Sequence, residues 1–413
     1  MSIDPRQMYA TFRSVVRFRE IDTDPVSRRL ARCVTVDDMR RIAKRRLPRG
    51  VFDYIDGGAE DEVTMRRNSE GFGALRFRPN VLRDVSEIDT SVDFMGARLP
   101  MPLMLSPTGY TRITHSEGEF AVARAAASVG LPYSLSTMAT RSIEDVAAAA
   151  PNGNHWFQVY TWKDRDLVAE LVGRAKAAGY RGLWLTVDTA VLGRRERDVR
   201  RGYTIPPKIG PGTIIDGIVH PGWTLNFITN PPIMFANVAG REGHDEDGSD
   251  PIVLAEHIMR NFDQRLSWDD VAWLRSLWDG PIVLKGIQTV DDARRAVDAG
   301  VEGIALSNHG GRQLDYAPSP VDIIEPVANA VGEQITIICD GGVRRGSDII
   351  KALALGADMC SIGRPYLYAM GAAGERGVAH LLDFFRDGME RTMALSGRRS
   401  IDEIDRDLVE WAM

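Results

Sequence analysis

Short apolar runs alternate with amphipathic segments along the chain from residue 103 onward. The runs have the length of buried strands, while each segment between them has apolar residues at helical spacing and stops at or near a glycine or proline. The predicted strands cover residues 103–106, 133–137, 156–160, 182–187, 281–285, 303–307, 335–339 and 359–362. The predicted helices include residues 117–129, 143–149, 164–178, 290–299 and 347–355.

Strand followed by helix, repeated eight times, is typical of an α/β protein with a (β/α)8 TIM barrel. One step is much longer than the others, because Thr186 and Lys285 lie 99 residues apart, so we predict an insertion over residues 195–265 after the fourth strand. Residues 1–35 are polar and Arg-rich and are predicted to form an N-terminal arm. A helix capped by Thr35 then opens the barrel domain, residues 36–413.

Polar side chains that could take part in catalysis or binding follow the predicted strands. Active sites of TIM barrels lie at the C-terminal ends of the strands, so these residues are expected to converge on one mouth. Strand ends could be polar simply because loops are polar, but that explanation does not account for a lysine, a histidine and several arginines at one mouth. In strand order the residues are Thr108 and Gly109, Ser136, Gln158 and Tyr160, Thr186 and Asp188, Lys285, Ser307 with His309 and Arg312, Asp340 with Arg344, and Gly363 with Arg364.

Two glycine-rich loops, residues 340–347 and 362–365, follow the seventh and eighth strands. In such barrels these loops commonly hold a phosphate, through backbone N–H groups, a helix N-terminus and an arginine. A phosphorylated ligand or cofactor is therefore predicted here. Lys285 could form a Schiff base, pair with a phosphate or stabilise negative charge on a reduced ring, and the residues alone do not choose. At least one arginine of residues 194–201 is a candidate clamp for a carboxylate.

The overall composition is that of an ordinary soluble protein, with 44% apolar and 26% charged residues. The formal net charge of −6 leaves no basic excess to neutralise phosphates, so nucleic acid is not expected as a partner. Cys33, Cys339 and Cys360 are far apart, which favours buried thiols in a reducing compartment over disulfides or a metal site. No signal-peptide or membrane-spanning run is found, so a cytoplasmic location is expected.

Several motifs together resemble the FMN-dependent L-2-hydroxy acid dehydrogenase/oxidase family, and within it the respiratory L-lactate dehydrogenases most. They are Ser-Asn-His-Gly-Gly-Arg-Gln at residues 307–313, Asp-Gly-Gly-Val-Arg-Arg-Gly at 340–346, Leu-Thr-Val-Asp at 185–188, Leu-Gly-Arg-Arg at 192–195 and Leu-Lys-Gly at 284–286. The likeness extends from about residue 35 to 410. It implies an FMN cofactor, a small 2-hydroxy acid substrate and a homo-oligomer, by likeness a tetramer.

The resemblance also implies a role for each matching residue. His309 would accept the hydroxyl proton, oriented by Asp188, while Lys285 would lie beside the flavin N1/O2 edge. Tyr54 and Tyr160 would hydrogen-bond the substrate. Its carboxylate would be held by Arg312 and Arg195. The flavin would be contacted by Thr108, Gly109, Ser136, Gln158, Thr186 and Ser307, and the ribityl phosphate by Asp340, Gly342, Arg344, Gly363 and Arg364.

The insertion bears on the identity of the electron acceptor. Residues 217–235 are apolar and aromatic but broken by prolines, so they cannot span a membrane, yet they could lie on the inner face of one. The resemblance, including His-Pro-Gly-Trp at residues 220–223, favours oxidation of L-lactate to pyruvate with a quinone or other respiratory acceptor. An ordered lid or subunit contact is the alternative role of this segment.

Gly109, often alanine in relatives, keeps open an oxygen-using oxidase or lactate monooxygenase. Met138, tryptophan in glycolate oxidases, leaves side-chain preference open, and a non-redox barrel that binds a phosphorylated ligand is the alternative of another class.

Overall fold

The computed structural model describes residues 5–15, 22–201, 210–238 and 262–412. Within these ranges, eight parallel strands close into a barrel, so the predicted (β/α)8 architecture is confirmed. Two strand pairs lie outside the barrel: β1 (Leu75–Phe77) with β12 (Val409–Trp411), and β2 (Val92–Phe94) with β3 (Ala97–Leu99). The barrel strands are β4 (Leu103–Leu105), β5 (Pro132–Ser136), β6 (Asn154–Val159), β7 (Gly182–Thr186), β8 (Ile282–Ile287), β9 (Gly303–Ser307), β10 (Thr336–Asp340) and β11 (Met359–Ile362).

Helices follow the barrel strands where the periodicity predicts them, with ends shifted by one or two residues. Several begin at a side-chain cap: the oxygens of Thr35, Ser142, Asp164 and Thr289 each accept a backbone N–H of the first turn, worth about 1 kcal/mol apiece. The helices around the barrel are Glu119–Ser128, Ile143–Ala149, Arg165–Ala177, Asp269–Leu277, Val290–Asp298, Pro320–Val331, Gly346–Ala354 and the kinked Arg364–Ser396.

The floor of the barrel is closed by the β2–β3 hairpin. Phe94 packs on Trp156 with ring centroids 5.5 Å apart, and both belong to a buried cluster with Trp184 that fills the interior. Gly182 makes room for this plug, since a Cβ there would lie 2.2 Å from the ring of Trp156. Because this cluster fills the interior of the barrel at the N-terminal end of the strands, the polar residues at their C-terminal ends face the opposite mouth.

The chain before the barrel wraps its outside. The predicted arm contains two helices, Pro5–Val15 and Pro25–Leu30, and the next ones are Val36–Arg46, Arg49–Asp56 and Val63–Gly73. The helix Val36–Arg46 packs along Arg364–Ser396. Buried Asp56 accepts two hydrogen bonds from Arg40 (2.5 and 2.8 Å) and one from Tyr368 (2.8 Å), which fixes the Arg49–Asp56 helix and therefore Tyr54 over the mouth.

The insertion after β7 forms three short helices in its described part, Glu196–Arg201, Pro211–Val219 and Pro221–Ile228. The helix pair that covers residues 211–228 has no buried residue, and it exposes a row of large apolar side chains. None of the described helices has both the length and the hydropathy needed to cross a bilayer. The exposed residues are Ile214, Ile215, Ile218, Val219, Leu225, Phe227 and Ile228.

Candidate active site

A cleft that is open to solvent lies at the C-terminal mouth of the barrel. Most of the residues that the sequence predicts for the site line it: Tyr54, Thr108, Gly109, Ser136, Tyr160, Arg195, Lys285, His309, Arg312, Asp340, Gly342, Arg344, Gly363 and Arg364. The others, Gln158, Thr186, Asp188 and Ser307, lie one layer behind. Within the described ranges, no group of three His, Cys, Asp or Glu side chains is arranged to hold a metal ion.

His309 and Asp188 form a hydrogen-bonded pair at the mouth. His309 follows β9 in a left-handed conformation (φ +57°), and its backbone N–H donates to Ser307 Oγ (3.1 Å). Its Nδ1 lies 3.0 Å from Asp188 Oδ1, so the tautomer that donates from Nδ1 keeps Nε2 as an acceptor. Burial and the charge of Lys285 lower the pKa of His309, although Asp188 opposes them. The neutral imidazole is therefore favoured near pH 7 and can take a proton from a hydroxyl group.

The carboxyl of Asp188 stays ionised. Burial alone would raise its pKa, but His309, through its hydrogen bond and its charge when protonated, and the charge of Lys285 outweigh that effect and lower it. An anion at this point stabilises the imidazolium that forms when His309 accepts a proton. The pair is thus equipped to act as a general base with a fixed orientation.

Two arginines point at the same cleft, and Asp198 is the acidic residue whose charge acts on both of them. Arg312 lies 5.0 Å over the ring of Tyr54 and donates to the carbonyls of Tyr54 (2.6 Å) and Gly57 (3.3 Å). Burial and the neighbouring charge of Arg195 lower the pKa of Arg312 to about 9, although Asp198 opposes them. The buried Nε of Arg195 has no hydrogen-bond partner among the described residues. Two like charges held together in this way favour binding of an anion between them.

Lys285 is fixed beneath the cleft by a set of hydroxyls and one carboxylate. Its Nζ donates to Ser307 Oγ (3.1 Å) and lies 3.3 Å from Asp340 Oδ2. Asp340 also accepts from Ser307 (2.7 Å), Ser106 (2.6 Å) and Ser361 (2.5 Å). Burial works against ionisation of Asp340, but Lys285 and the hydroxyls prevail and lower its pKa. The sequence analysis assigned no role to Ser106 or Ser361, whose only signal is a hydroxyl at the end of an apolar strand.

Buried polar atoms beside Lys285 have no partner in the described residues. Gln158 Oε1 accepts from Ser136 Oγ (2.9 Å) and from the N–H of Thr137 (3.3 Å), but Gln158 Nε2 remains unpaired, as does Thr186 Oγ1. Buried polar groups are seldom left unsatisfied. A flat ring edged with carbonyls and nitrogens, as in FMN, would supply the missing partners, so this part of the cleft fits the predicted cofactor.

The loops after β10 and β11 suit the phosphate end of that cofactor. Gly342 has φ +84°, and a Cβ there would lie 1.8 Å from the carbonyl oxygen of Asn68, so no other residue fits. Arg364 is largely occupied, because it donates to the carbonyls of Ile55, Gly57 and Gly310 (3.1, 2.7 and 2.7 Å). Among the described residues, the guanidinium of Arg344 donates only to Val343 O (2.8 Å), through Nη1, which leaves it the freer cation for a phosphate.

Aromatic residues that the sequence analysis did not single out complete the cleft wall. Tyr110, Phe235 and Phe262 line it together with Met138. Phe262 packs edge-on against Tyr160 at 5.0 Å. Burial and nearby Asp188 raise the pKa of Tyr160, so its hydroxyl keeps its proton and can donate. Two of these aromatic residues come from the insertion, whose path could not be inferred from local periodicity.

Comparison with known proteins matches the sequence and the fold to one family. Residues 43–411 match the family model for FMN-dependent dehydrogenases. The chain is 45% identical over 390 residues to a putative L-lactate dehydrogenase of Mycobacterium tuberculosis, covering 94% of this chain and 92% of that protein. It is 43% identical to glycolate oxidase of Spinacia oleracea, covering 91% and 96%. The crystal structure of the monotopic membrane protein (S)-mandelate dehydrogenase superposes with a TM-score of 0.87 at 37% identity, covering 92% of this chain and 99% of that one.

Proposed function

Because this chain belongs to the FMN-dependent dehydrogenase family, and is therefore an FMN-dependent 2-hydroxy acid oxidoreductase, we propose that it oxidises L-lactate to pyruvate and passes the electrons to a quinone or another respiratory acceptor. One observation carries the proposal: His309, hydrogen-bonded to Asp188, faces a single cleft together with Arg195 and Arg312. A 2-hydroxy acid needs these two features together, a cationic site for its carboxylate and a base for its hydroxyl. Family membership favours this redox chemistry over the non-redox alternative.

In the proposed reaction the chain's residues orient the substrate and move one proton. Arg195 and Arg312 hold the carboxylate, and the hydroxyls of Tyr54 and Tyr160 hydrogen-bond the substrate. The hydroxyl of the substrate then faces Nε2 of His309, which takes the proton while Asp188 stabilises the resulting charge. Bound FMN would supply the acceptor for the hydride that leaves the substrate carbon. Lys285, fixed by Asp340 and Ser307, offsets negative charge at the polar edge of the ring.

The contacts of Asp340 favour a role different from the phosphate contact that the resemblance implies. A carboxylate that already accepts three hydroxyl donors and pairs with Lys285 would repel a phosphate. We therefore assign Asp340 to the Lys285 network and the ribityl hydroxyls, and Arg344 with the backbone of residues 341–343 to the phosphate.

The pH dependence of the reaction should report the state of His309. The base must be neutral, so kcat/KM for L-lactate falls as pH drops through the pKa of His309. Burial and Lys285 lower that pKa, which places the acid limb below 6.5. Asp188 raises it, so Asp188→Asn moves the limb to still lower pH and also lowers kcat. Initial rates between pH 4.5 and 8 test this, with Asp93→Asn, an exposed change on the hairpin, as control. A limb that moves upward in Asp188→Asn contradicts the assignment.

The substrate and cofactor are tested by the visible spectrum of the purified protein. Anaerobic L-lactate should bleach the flavin bands of the enzyme, with pyruvate as product in equal amount. A yellow protein that only glycolate or mandelate bleaches would retain the reaction class and overturn lactate. Reoxidation of the reduced flavin distinguishes an oxygen-using enzyme from a quinone-linked one. Rapid return of the yellow colour in air, unaffected by quinone, would identify an oxidase. The homotetramer implied by the resemblance stays a prediction.

The exposed helix pair at residues 211–228 supports a peripheral contact with the cell membrane. Large apolar side chains that no described residue covers are expected to enter the headgroup region, where a quinone acceptor is also available. Such contact would place a cytoplasmic enzyme on the inner membrane face, and the mandelate dehydrogenase whose fold it shares is named as a monotopic membrane protein.

Two acidic substitutions on the exposed helix pair at residues 211–228 should weaken its contact with the membrane. Ile218 and Ile228 are 69% and 65% exposed, and Ile218→Glu with Ile228→Glu should weaken binding to phospholipid vesicles by about 10²–10⁴-fold, because each buried isoleucine contributes roughly 1.5–3 kcal/mol. Sedimentation with vesicles measures the loss, and activity with a soluble dye acceptor should stay at the wild-type level. Leu395→Glu, equally exposed but outside the insertion, is the matched control. Unchanged sedimentation of the double variant would contradict a membrane role.

A further inference from the structure

Tyr110 has a backbone conformation that side chains rarely adopt. It follows Gly109 after the first barrel strand with φ +61°, in the left-handed region, and its N–H donates to the carbonyl of Met138 (2.9 Å). A turn of 3-10 helix, Thr111–Ile113, follows at once. Strained conformations of this kind persist when the surroundings fix them, and they often accompany functional sites. Such an outlier in the wall of the cleft therefore invites a functional explanation.

The side chain of Tyr110 lies between the predicted carboxylate site and the insertion. Its ring meets Tyr54 edge-on, with centroids 6.4 Å apart, and packs on Phe235 at 5.4 Å. All three line the cleft. Burial and the proximity of Tyr54 raise the pKa of Tyr110 to about 12, so the ring stays neutral. It therefore presents an uncharged aromatic surface to the cleft.

Hydrogen bonds between the insertion and the loop after Tyr110 fix this pair of rings. Buried Arg112 donates to the carbonyls of Pro231 (2.7 Å) and Pro232 (3.3 Å), three residues before Phe235. Trp223 Nε1 donates to Ile113 O (2.7 Å). Asn226 exchanges two hydrogen bonds with Ser116, both of 2.8 Å. The insertion thus holds Phe235 against Tyr110 from outside.

We propose that Tyr110, backed by Phe235, determines specificity: its ring closes the part of the cleft that receives the substrate side chain, so that short aliphatic 2-hydroxy acids are accepted and aromatic ones are excluded. Arg112 is a positioning residue for this wall. The ring is held by its contacts with Tyr54 and Phe235, and a rigid apolar wall discriminates by size. The inference rests on the proposed function as a 2-hydroxy acid dehydrogenase.

The test compares two substrates in the FMN-loaded enzyme. Tyr110→Ala should lower the ratio of kcat/KM for L-lactate to kcat/KM for L-mandelate by about 10–100-fold. Tyr110→Phe keeps the ring and should keep the ratio within about twofold. Leu82→Ala is a control matched for strain, because Leu82 also has a left-handed φ (+58°) but is fully exposed. Tyr110→Leu replaces the alanine variant if that one loses FMN.

Arg112→Met should shift the ratio in the same direction by a smaller factor, while Arg112→Lys restores part of it. A purely structural role would lower activity on both acids equally. Dissociation constants give an independent readout: Tyr110→Ala should leave oxalate, which has no side chain, unchanged and should tighten phenylglyoxylate. A folded, FMN-containing Tyr110→Ala with an unchanged ratio would overturn the proposal. Failure of every 2-hydroxy acid to bleach the wild type would instead overturn the proposed function, and the two dissociation constants would still test Tyr110.

Discussion

His309→Gln should reduce the rate of flavin bleaching by L-lactate by about 10²–10⁴-fold, the usual contribution of a positioned general base. Glutamine has similar size and retains a donor toward Asp188, but it cannot accept the hydroxyl proton. Because Arg195 and Arg312 are untouched, the dissociation constant for oxalate should change little. Anaerobic stopped-flow absorbance measures the rate directly, without the acceptor half of the reaction.

A second histidine provides the control for this variant. His380 lies on the outside of the barrel, where its Nε2 is 2.8 Å from Cys33 O, and His380→Gln should leave the rate unchanged. A His309→Gln enzyme that bleaches within about fivefold of the wild-type rate would assign the base to another residue. A loss of oxalate binding together with the rate would point to a disturbed site instead of missing base chemistry.

Lys285→Met should lower the free energy of unfolding by about 3–5 kcal/mol, because it leaves Asp340 buried without its counter-charge. For a chain of this size the midpoint of thermal unfolding should fall by about 4–6 °C, and FMN content should fall with it. Removing both charges, as Lys285→Met with Asp340→Asn, should recover most of the midpoint, since the amide can keep accepting from Ser106 and Ser361.

A surface ion pair offers the comparison for Lys285. Lys176 and Asp279 lie 2.5 Å apart, but their side chains are 55% and 82% exposed. Lys176→Met should therefore cost less than about 1 kcal/mol. If Lys285→Met unfolds no earlier than Lys176→Met, the buried pair does not stabilise the barrel and Lys285 is held by other forces.

The barrel could be predicted because each of its strands is a local signal. Residues 303–307 form a short run, mostly apolar, that begins at Gly303, and the predicted bounds agree with those of β9 at both ends. The site was within reach for the same reason, since parallel strands send their C-terminal residues to one mouth: His309 and Asp188, 121 residues apart, meet at 3.0 Å. Topology alone brings such residues together.

What escaped prediction depends on packing between distant segments. Nothing near Tyr110 in the sequence marks a left-handed tyrosine, because its conformation is fixed by Met138 and Phe235. The helix Pro5–Val15 lies in a stretch whose polar character concealed its periodicity. The occupied state of Arg364 follows from three backbone carbonyls that only the folded chain brings to it.

The hairpin that plugs the barrel floor has a consequence for the order of events. Phe94, Trp156 and Trp184 fill the interior at that end, so among the described residues the route to the site is the cleft at the opposite mouth. Under the proposed function, the substrate, the product and the electron acceptor would share that entrance. We therefore expect double-displacement kinetics, in which the 2-oxo acid leaves before a bulky acceptor approaches. An excess of hydroxy acid would then slow the enzyme by occupying the entrance that the acceptor needs.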